Sequence, residues 1–247
     1  MDADKIKTIL LFPIKDAYAR QQFLVACLLT LAGMAIPIIP LLILTGYGAR
    51  IARQIVLEKK EPAMTEWDNW NEFLMDGARL FGIRLLFILP VFFLAILGQA
   101  FVMISLFLIE GNSSQQPSPL GGVMVIAGMA IFVLAFLLAI PIGFFLMTAE
   151  THVAVKRSFS AGLQFKEWWL ILKNGIGAFL TAYLIMLIVS LAFSFIIGFA
   201  IITIVLICIL PFILVPYSAY LALVAQALYA QAYASSRAYL SSTKDQL

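Results

Sequence analysis

The sequence predicts an all-α, polytopic integral membrane protein with about six transmembrane helices and in-plane amphipathic helices on the cytoplasmic side. Three observations support this fold class. Hydrophobic residues make up 63% of the chain and charged residues only 12%, whereas soluble domains have about 45–50% and about 25%. Long stretches carry no charge at all. The basic residues fall between these stretches in a one-sided pattern, so their placement says more than the small net charge of +3.

The first two predicted segments are a cytoplasmic amphipathic segment over residues 1–20 and a helical hairpin over residues 21–57. No residue from Gln21 to Ala49 is charged, and basic residues flank this run on both sides. Because basic residues mark the cytoplasmic side of a membrane, the chain has to enter and return. Pro37 and Pro40 supply the break between the two arms. A single kinked span is the alternative interpretation.

The longest polar segment follows this hairpin, and residues 62–81 are predicted to form an in-plane helix that turns into the bilayer. Thr65 and Asp68 have the spacing of a helix N-cap and its acidic partner. Beyond them, aromatic and small residues recur at helical spacing on one face, and acidic residues fill the other. An aromatic face opposite a charged face is typical of the membrane–water interface.

The acidic face of this segment predicts a docking surface. Acidic residues outnumber lysines between Leu57 and Asp76, although interfacial anchors usually carry Lys or Arg. We therefore expect the acids to contact either a partner protein or basic groups of this chain; a merely solvated face is the alternative. The basic groups in question are Arg50, Arg53, Lys156 and Arg157. The candidate docking residues are Glu66, Trp67, Asp68, Trp70, Glu72, Asp76, Arg50 and Arg53.

Residues 82–150 are predicted to form a second helix pair. Leu85 to Ile109 and Val123 to Ala149 carry no charge, and each is long enough for one span. The loop between them, Glu110 to Gly122, is rich in turn-forming residues and lacks Lys and Arg. We expect this loop to lie outside the cell.

The last third of the chain is predicted to repeat this organisation. Residues 158–173 form a second in-plane helix with an aromatic anchor, and residues 174–236, which carry no charge, form a third helix pair. Its turn is expected between Gly198 and Pro211, and a polar tail follows over residues 237–247. Residues 1–247 thus make one transmembrane domain. All 16 Lys and Arg residues and both termini are then cytoplasmic.

No catalytic motif is visible in the sequence. Zinc-binding His-Glu-x-x-His, nucleophile and phosphate-loop motifs are absent, and His152 is the one histidine, which excludes a multi-histidine metal site. Glu150 and His152 are candidates for a proton relay or an axial ligand of a porphyrin-type pigment. A hydrated helix end explains them more simply. Cys27 and Cys208 lie in apolar runs and are expected to pack there. We expect no enzyme activity, cofactor or metal.

Several residues resemble a known family. They are Phe12-Pro-Ile-Lys-Asp16 ahead of the proline-broken run, then Gly46, Tyr47, Arg50 and Arg53, then Glu66-Trp67-Asp68-Asn69-Trp70 with Phe73, Asp76 and Gly77. Together they are similar to prokaryotic multi-pass membrane proteins of the domain of unknown function 4013 family, over about Ile9 to Tyr229. The resemblance implies a bacterial or archaeal membrane protein with no assigned activity, substrate or cofactor.

The sequence favours a non-enzymatic accessory or scaffold subunit in the inner membrane of a prokaryote. Its expected partners are membrane lipids and other membrane proteins, not nucleic acid. The rival function is a small transporter or permease for a lipid or small solute, since proline-broken helices are where such sites form. Transport usually requires buried polar or ionisable groups, and the predicted spans contain few.

Overall fold

The structure is a computed structural model that describes residues 3–110, 119–202 and 210–244. These residues form nine α-helices and no β-strand, so the described chain is all-α. The helices are α1 (Ala3–Leu11), α2 (Ala17–Ala35), α3 (Ile39–Val56), α4 (Trp70–Glu110), α5 (Pro119–Lys156), α6 (Phe159–Leu163), α7 (Phe165–Asn174), α8 (Ile176–Ile202) and α9 (Leu210–Lys244), with a 3-10 turn at Phe12–Ile14.

Four of the described helices, α4, α5, α8 and α9, are long and apolar enough to cross a membrane. The chain is therefore an all-α membrane protein. These helices contain the spans predicted in the second and third pairs but are longer: α4 begins at Trp70 and continues unbroken from the segment predicted to lie in the membrane plane. The predicted external loop over Glu110–Gly122 and the predicted turn between Gly198 and Pro211 lie largely outside the described residues.

The proline-rich break in the first apolar run is confirmed. It separates α2, of 19 residues, from α3, of 18 residues. Asp16 caps α2 by accepting a hydrogen bond from the Ala19 amide at 2.7 Å. Pro40 lies in the first turn of α3, where a missing N–H removes no helical hydrogen bond. Both helices are close to the minimum length of about 17 residues for a span, and neither is among the four candidates.

The predicted helix over residues 62–81 is wrong in its first half. Residues 59–69 form neither helix nor strand, and α4 begins only at Trp70. The reason is a tertiary contact: the Tyr47 hydroxyl donates to the Thr65 carbonyl and accepts from the Thr65 amide, both at 2.7 Å. Backbone groups that a helix would use there are therefore already bonded. We call residues 59–69 the strap.

Two other predicted boundaries also differ from the structure. The helix predicted over residues 158–173 is divided into α6 and α7 at Gln164. The Trp168 indole N–H donates to the Gly162 carbonyl at 3.1 Å, so that oxygen is taken up by a side chain instead of continuing the helix. The tail predicted over residues 237–247 is helical as far as Lys244, and its last residues lie outside the described part.

The chain divides into two compact units. The first contains Met1–Gly82 and Met147–Leu247, and the second contains Ile83–Leu146. In the second unit α4 and α5 cross closely at Gly98 and Gly128. A Cβ atom on Gly128 would lie 2.8 Å from the Gly98 carbonyl oxygen, so the crossing requires glycine there.

Replacing Gly128 by alanine is therefore expected to destabilise the protein by about 1–3 kcal/mol, because the added methyl group forces the two helices apart. The measurement is thermal unfolding in mild detergent. The matched control is Gly143→Ala in the same helix, where an added Cβ meets nothing within 4 Å. Equal effects of the two substitutions would contradict the close crossing.

Candidate functional site

An aromatic cluster holds the strap against α2 and α3. The Trp67 ring stacks on the buried Tyr47 ring, with centroids 3.7 Å apart and planes 9° apart. The Trp67 indole N–H also donates to the Gln22 carbonyl of α2 at 3.1 Å. Phe73 of α4 packs edge-on against both rings. Stacked and edge-on aromatic pairs stabilise a fold beyond their buried area, so these contacts fix the strap in place.

Two glycines bring α3 and the start of α4 into backbone contact. A Cβ atom on Gly46 would lie 1.8 Å from the Phe73 carbonyl oxygen. A Cβ atom on Gly77 would lie 1.8 Å from the Leu42 carbonyl oxygen. No residue other than glycine fits at either position. This crossing sets the arginines of α3 against the carboxylates of α4.

Asp76 is the centre of the ion pairs that result. Its side chain is 2% exposed, and its Oδ1 lies 2.5 Å from Arg79 Nη1 and 3.7 Å from Arg157 Nε. Its Oδ2 lies 2.7 Å from Arg53 Nη1. Oδ2 accepts no hydrogen bond of good geometry from the described residues. At this short distance, however, the positive charge of the Arg53 guanidinium still attracts it. A carboxylate this deeply buried requires such partners.

Glu72, which is more exposed than Asp76, contacts two of the same arginines. Its Oε1 lies 3.2 Å from Arg53 Nη2 and 3.0 Å from Arg157 Nη2. Arg53 also donates to the Ala154 carbonyl of α5 at 3.3 Å. Arg157 has a φ of 53°, a left-handed conformation that is unfavourable for arginine. That conformation turns the chain directly after α5, where the Arg157 guanidinium reaches Glu72. We call Arg53, Arg79, Arg157, Glu72 and Asp76 the ion-pair network.

The strap adds an ion pair between Asp68 and Arg50. The Arg50 guanidinium also lies over the Phe73 ring, 5.6 Å from its centroid. The hydrogen bond from Arg50 lowers the pKa of the Asp68 carboxyl below its ordinary value. Both side chains of the pair are partly exposed, so water screens their attraction.

The acids contact most, but not all, of the basic groups that the sequence suggested. Arg50, Arg53 and Arg157 each pair with an acid of the strap or α4. Lys156 does not: it pairs with Glu167 of α7. The predicted contact of these acids with a partner protein stays a prediction.

The structure turns part of the predicted docking surface inward. Asp76 is buried, Arg53 is largely covered, and Trp67 is only partly exposed. Four residues at the junction of the strap and α4 remain open to solvent, and Trp70 among them is 45% exposed. We call these residues, Glu66, Asp68, Asn69 and Trp70, the acidic edge.

A second polar cluster surrounds His152, and the sequence did not predict its partners. His152 is 1% exposed and Glu150 is 1% exposed, so the expected hydrated helix end is wrong. His152 Nδ1 lies 2.7 Å from the Tyr233 hydroxyl of α9, and its Nε2 lies 3.5 Å from Glu167 Oε2. Nothing in the local pattern signals this pairing, because the partners lie far apart in the sequence. Among the described residues, no cluster of metal-ligating side chains is present.

Comparison with known protein families identifies a match. A family model described as a protein of unknown function (DUF4013) matches residues 29–202. No curated protein and no solved structure matches the chain. The matched range contains the strap, the acidic edge and every member of the ion-pair network.

Replacing Asp76 by asparagine is expected to destabilise the protein by about 3–5 kcal/mol, since it leaves the arginines around that side chain without their buried counter-charge. Thermal unfolding in mild detergent measures the loss. Asp68→Asn is the matched control: it removes the same charge from an exposed pair and should change the melting temperature little. If the two variants unfold at the same temperature, Asp76 does not organise the site.

Proposed function

Since the chain belongs to the DUF4013 family, whose function is unknown, we propose a function from its own geometry: a non-enzymatic accessory or scaffold subunit. In this proposal the acidic edge binds another membrane protein. The chemistry of the edge defines the complementary surface. That surface offers a basic group to Glu66 and Asp68 and an apolar pocket to Trp70.

The observation that carries this proposal is an exposed tryptophan on a fixed support. Trp70 is 45% exposed, yet the strap before it is fastened by Trp67 and Tyr47. Tryptophan is enriched among the residues that dominate binding energy at interfaces. A support that is already ordered loses little conformational entropy when a partner binds. Glu66 forms no ion pair within the described residues and so keeps its charge for a partner.

The burial of the candidate spans supports a role in assembly. In α9, 44% of the most apolar stretch is buried by the chain itself, whereas the value is 11% in α4, 11% in α5 and 6% in α8. Most of the side-chain surface of these three helices is therefore left for lipid or for helices of other proteins. A transport path within one chain would instead require helices that cover one another around a polar route.

We also propose a topology of six crossings in a prokaryotic inner membrane, with both termini cytoplasmic. The four long helices account for four crossings, and the hairpin of α2 and α3 accounts for two. Basic residues flank the hairpin on both sides, and no Lys or Arg lies in the predicted external loop. The strap, α6 and α7 then lie at the cytoplasmic surface, with the amphipathic α7 in the plane of the membrane.

A topology reporter fused after Leu247 is expected to be active only in the cytoplasm. A second fusion in the loop at Ser114 should be active only outside, because an odd number of crossings precedes it. Activity of the Leu247 fusion on the external side would refute the even count.

Partner binding is tested with a photo-crosslinking amino acid in place of the exposed Asn69, which leaves Glu66 and Trp70 intact, in the full chain in its native membrane. We expect a constant membrane-protein adduct that falls at least about tenfold with Trp70→Ala, as for a tryptophan hot spot. Trp169→Ala, which removes a 39% exposed tryptophan of α7, is the matched control and should leave the adduct unchanged.

Two outcomes would contradict the accessory role. One is the absence of any protein adduct at position 69. The other is a stabilisation of the isolated protein by a small solute, which would favour transport because a ligand bound only to the folded state raises its stability.

A further inference from the structure

A cavity of about 750 Å³ lies in the first unit where α1, the end of α3, the start of the strap and the end of α9 meet. Its floor is apolar, since Ile9, Ile55 and Val56 are buried. Its rim is charged and carries more cations than anions: Lys5, Lys59, Lys60 and Arg237 against Asp4 and Glu61. The cavity thus combines an apolar base with a positively charged opening.

The cations of this rim differ from the arginines of the ion-pair network. Every arginine of the network contacts a carboxylate. Within the part of the chain that the structure describes, Lys5, Lys59 and Arg237 form no ion pair, and Lys60 pairs only with the exposed Glu58. The folded chain therefore leaves a local excess of positive charge at the cavity, which an anion can neutralise.

The position of the cavity matches the depth of lipid headgroups. Its α9 residues, Gln231 to Ala238, include the end of the uncharged run over residues 174–236 and Arg237, the first charged residue after that run. The boundary of a span lies at the headgroup region of the bilayer. Thr8 and Ser235 also line the cavity, but their hydroxyl groups donate to the Asp4 and Ala232 carbonyls of their own helices. The charged rim is therefore the part of the lining that attracts an anion.

We propose that this cavity binds the phosphate group of an anionic phospholipid. The cations of the rim hold the phosphate, and Ile9, Ile55 and Val56 contact the glycerol and the first methylene groups. A free phosphate ion shares the anion chemistry but makes no use of the apolar floor. The cavity shares no residue with the acidic edge. Lipid binding in the cavity and partner binding at the acidic edge can therefore be tested separately.

The test uses the full chain, purified in mild detergent and stripped of lipid. Phosphatidylglycerol and phosphatidylcholine are added in mixed micelles, and inorganic phosphate and glycerol 3-phosphate are added without lipid. Binding is followed by native mass spectrometry and by the shift in melting temperature. We expect phosphatidylglycerol to bind and stabilise, and phosphatidylcholine and the two soluble phosphates to do so at least about tenfold more weakly.

Two triple variants remove equal charge from different places. Lys5→Gln with Lys59→Asn and Arg237→Gln removes three of the four rim cations, those without an ion pair; asparagine is used at position 59 because the backbone φ there, 54°, is left-handed. Lys7→Gln with Lys15→Gln and Lys166→Gln is the control, at exposed cations away from the cavity. The rim variant should lose the preference for phosphatidylglycerol, and the control should keep it. Both variants should elute and melt like the unmodified protein without lipid.

Three results would overturn the proposal. Equal binding of phosphatidylglycerol and phosphatidylcholine would remove the anion site. An equal loss in both triple variants would mean that total charge, not the cavity, attracts the lipid. Stabilisation by inorganic phosphate as strong as that by phosphatidylglycerol would assign the cavity to a soluble phosphate instead of a lipid.

Discussion

The burial of the Asp76 carboxylate is the constraint on which the first unit depends. A carboxylate removed from water is tolerated only beside opposite charge, and its partners come from three places in the chain. Arg53 reaches it because Gly46 and Gly77 let α3 and α4 touch. Arg157 reaches it because the chain turns directly after α5. The helix crossing and the turn after α5 thus both place positive charge beside one buried carboxylate.

The charged groups of the first unit serve two different purposes. The ion-pair network is closed, because each of its charged groups contacts an opposite charge and the contacts join α3, α4 and the residue after α5. The acidic edge and the rim of the cavity are open, because Glu66 and Arg237 have no ion-pair partner within the described residues. Closed clusters contribute to the fold, whereas open ones are available for recognition. The acidic edge is negatively charged, the rim of the cavity is positively charged, and the two share no residue.

Patterns that are local in the sequence were sufficient for much of the fold. Composition predicted a helical membrane protein, the prolines predicted the break between α2 and α3, and the excess of acids predicted contacts with Arg50 and Arg53. The strap was missed because a helix pattern was overridden by the hydroxyl of Tyr47, which no local window contains. The division of α6 from α7 and the His152–Tyr233 contact likewise depend on side chains that meet only in the folded chain.

The order of the arginines in the chain bears on how the protein is made. Arg53 precedes Asp76 and Arg79 follows it within one turn of α4, whereas Arg157 is added only after α5 is complete. When α4 emerges from the ribosome, the Asp76 carboxylate has Arg53 before it and Arg79 one turn after it, so it does not depend on Arg157 for a counter-charge. Arg157 adds the last ion pairs to Glu72 and Asp76 only after α5 has been synthesised.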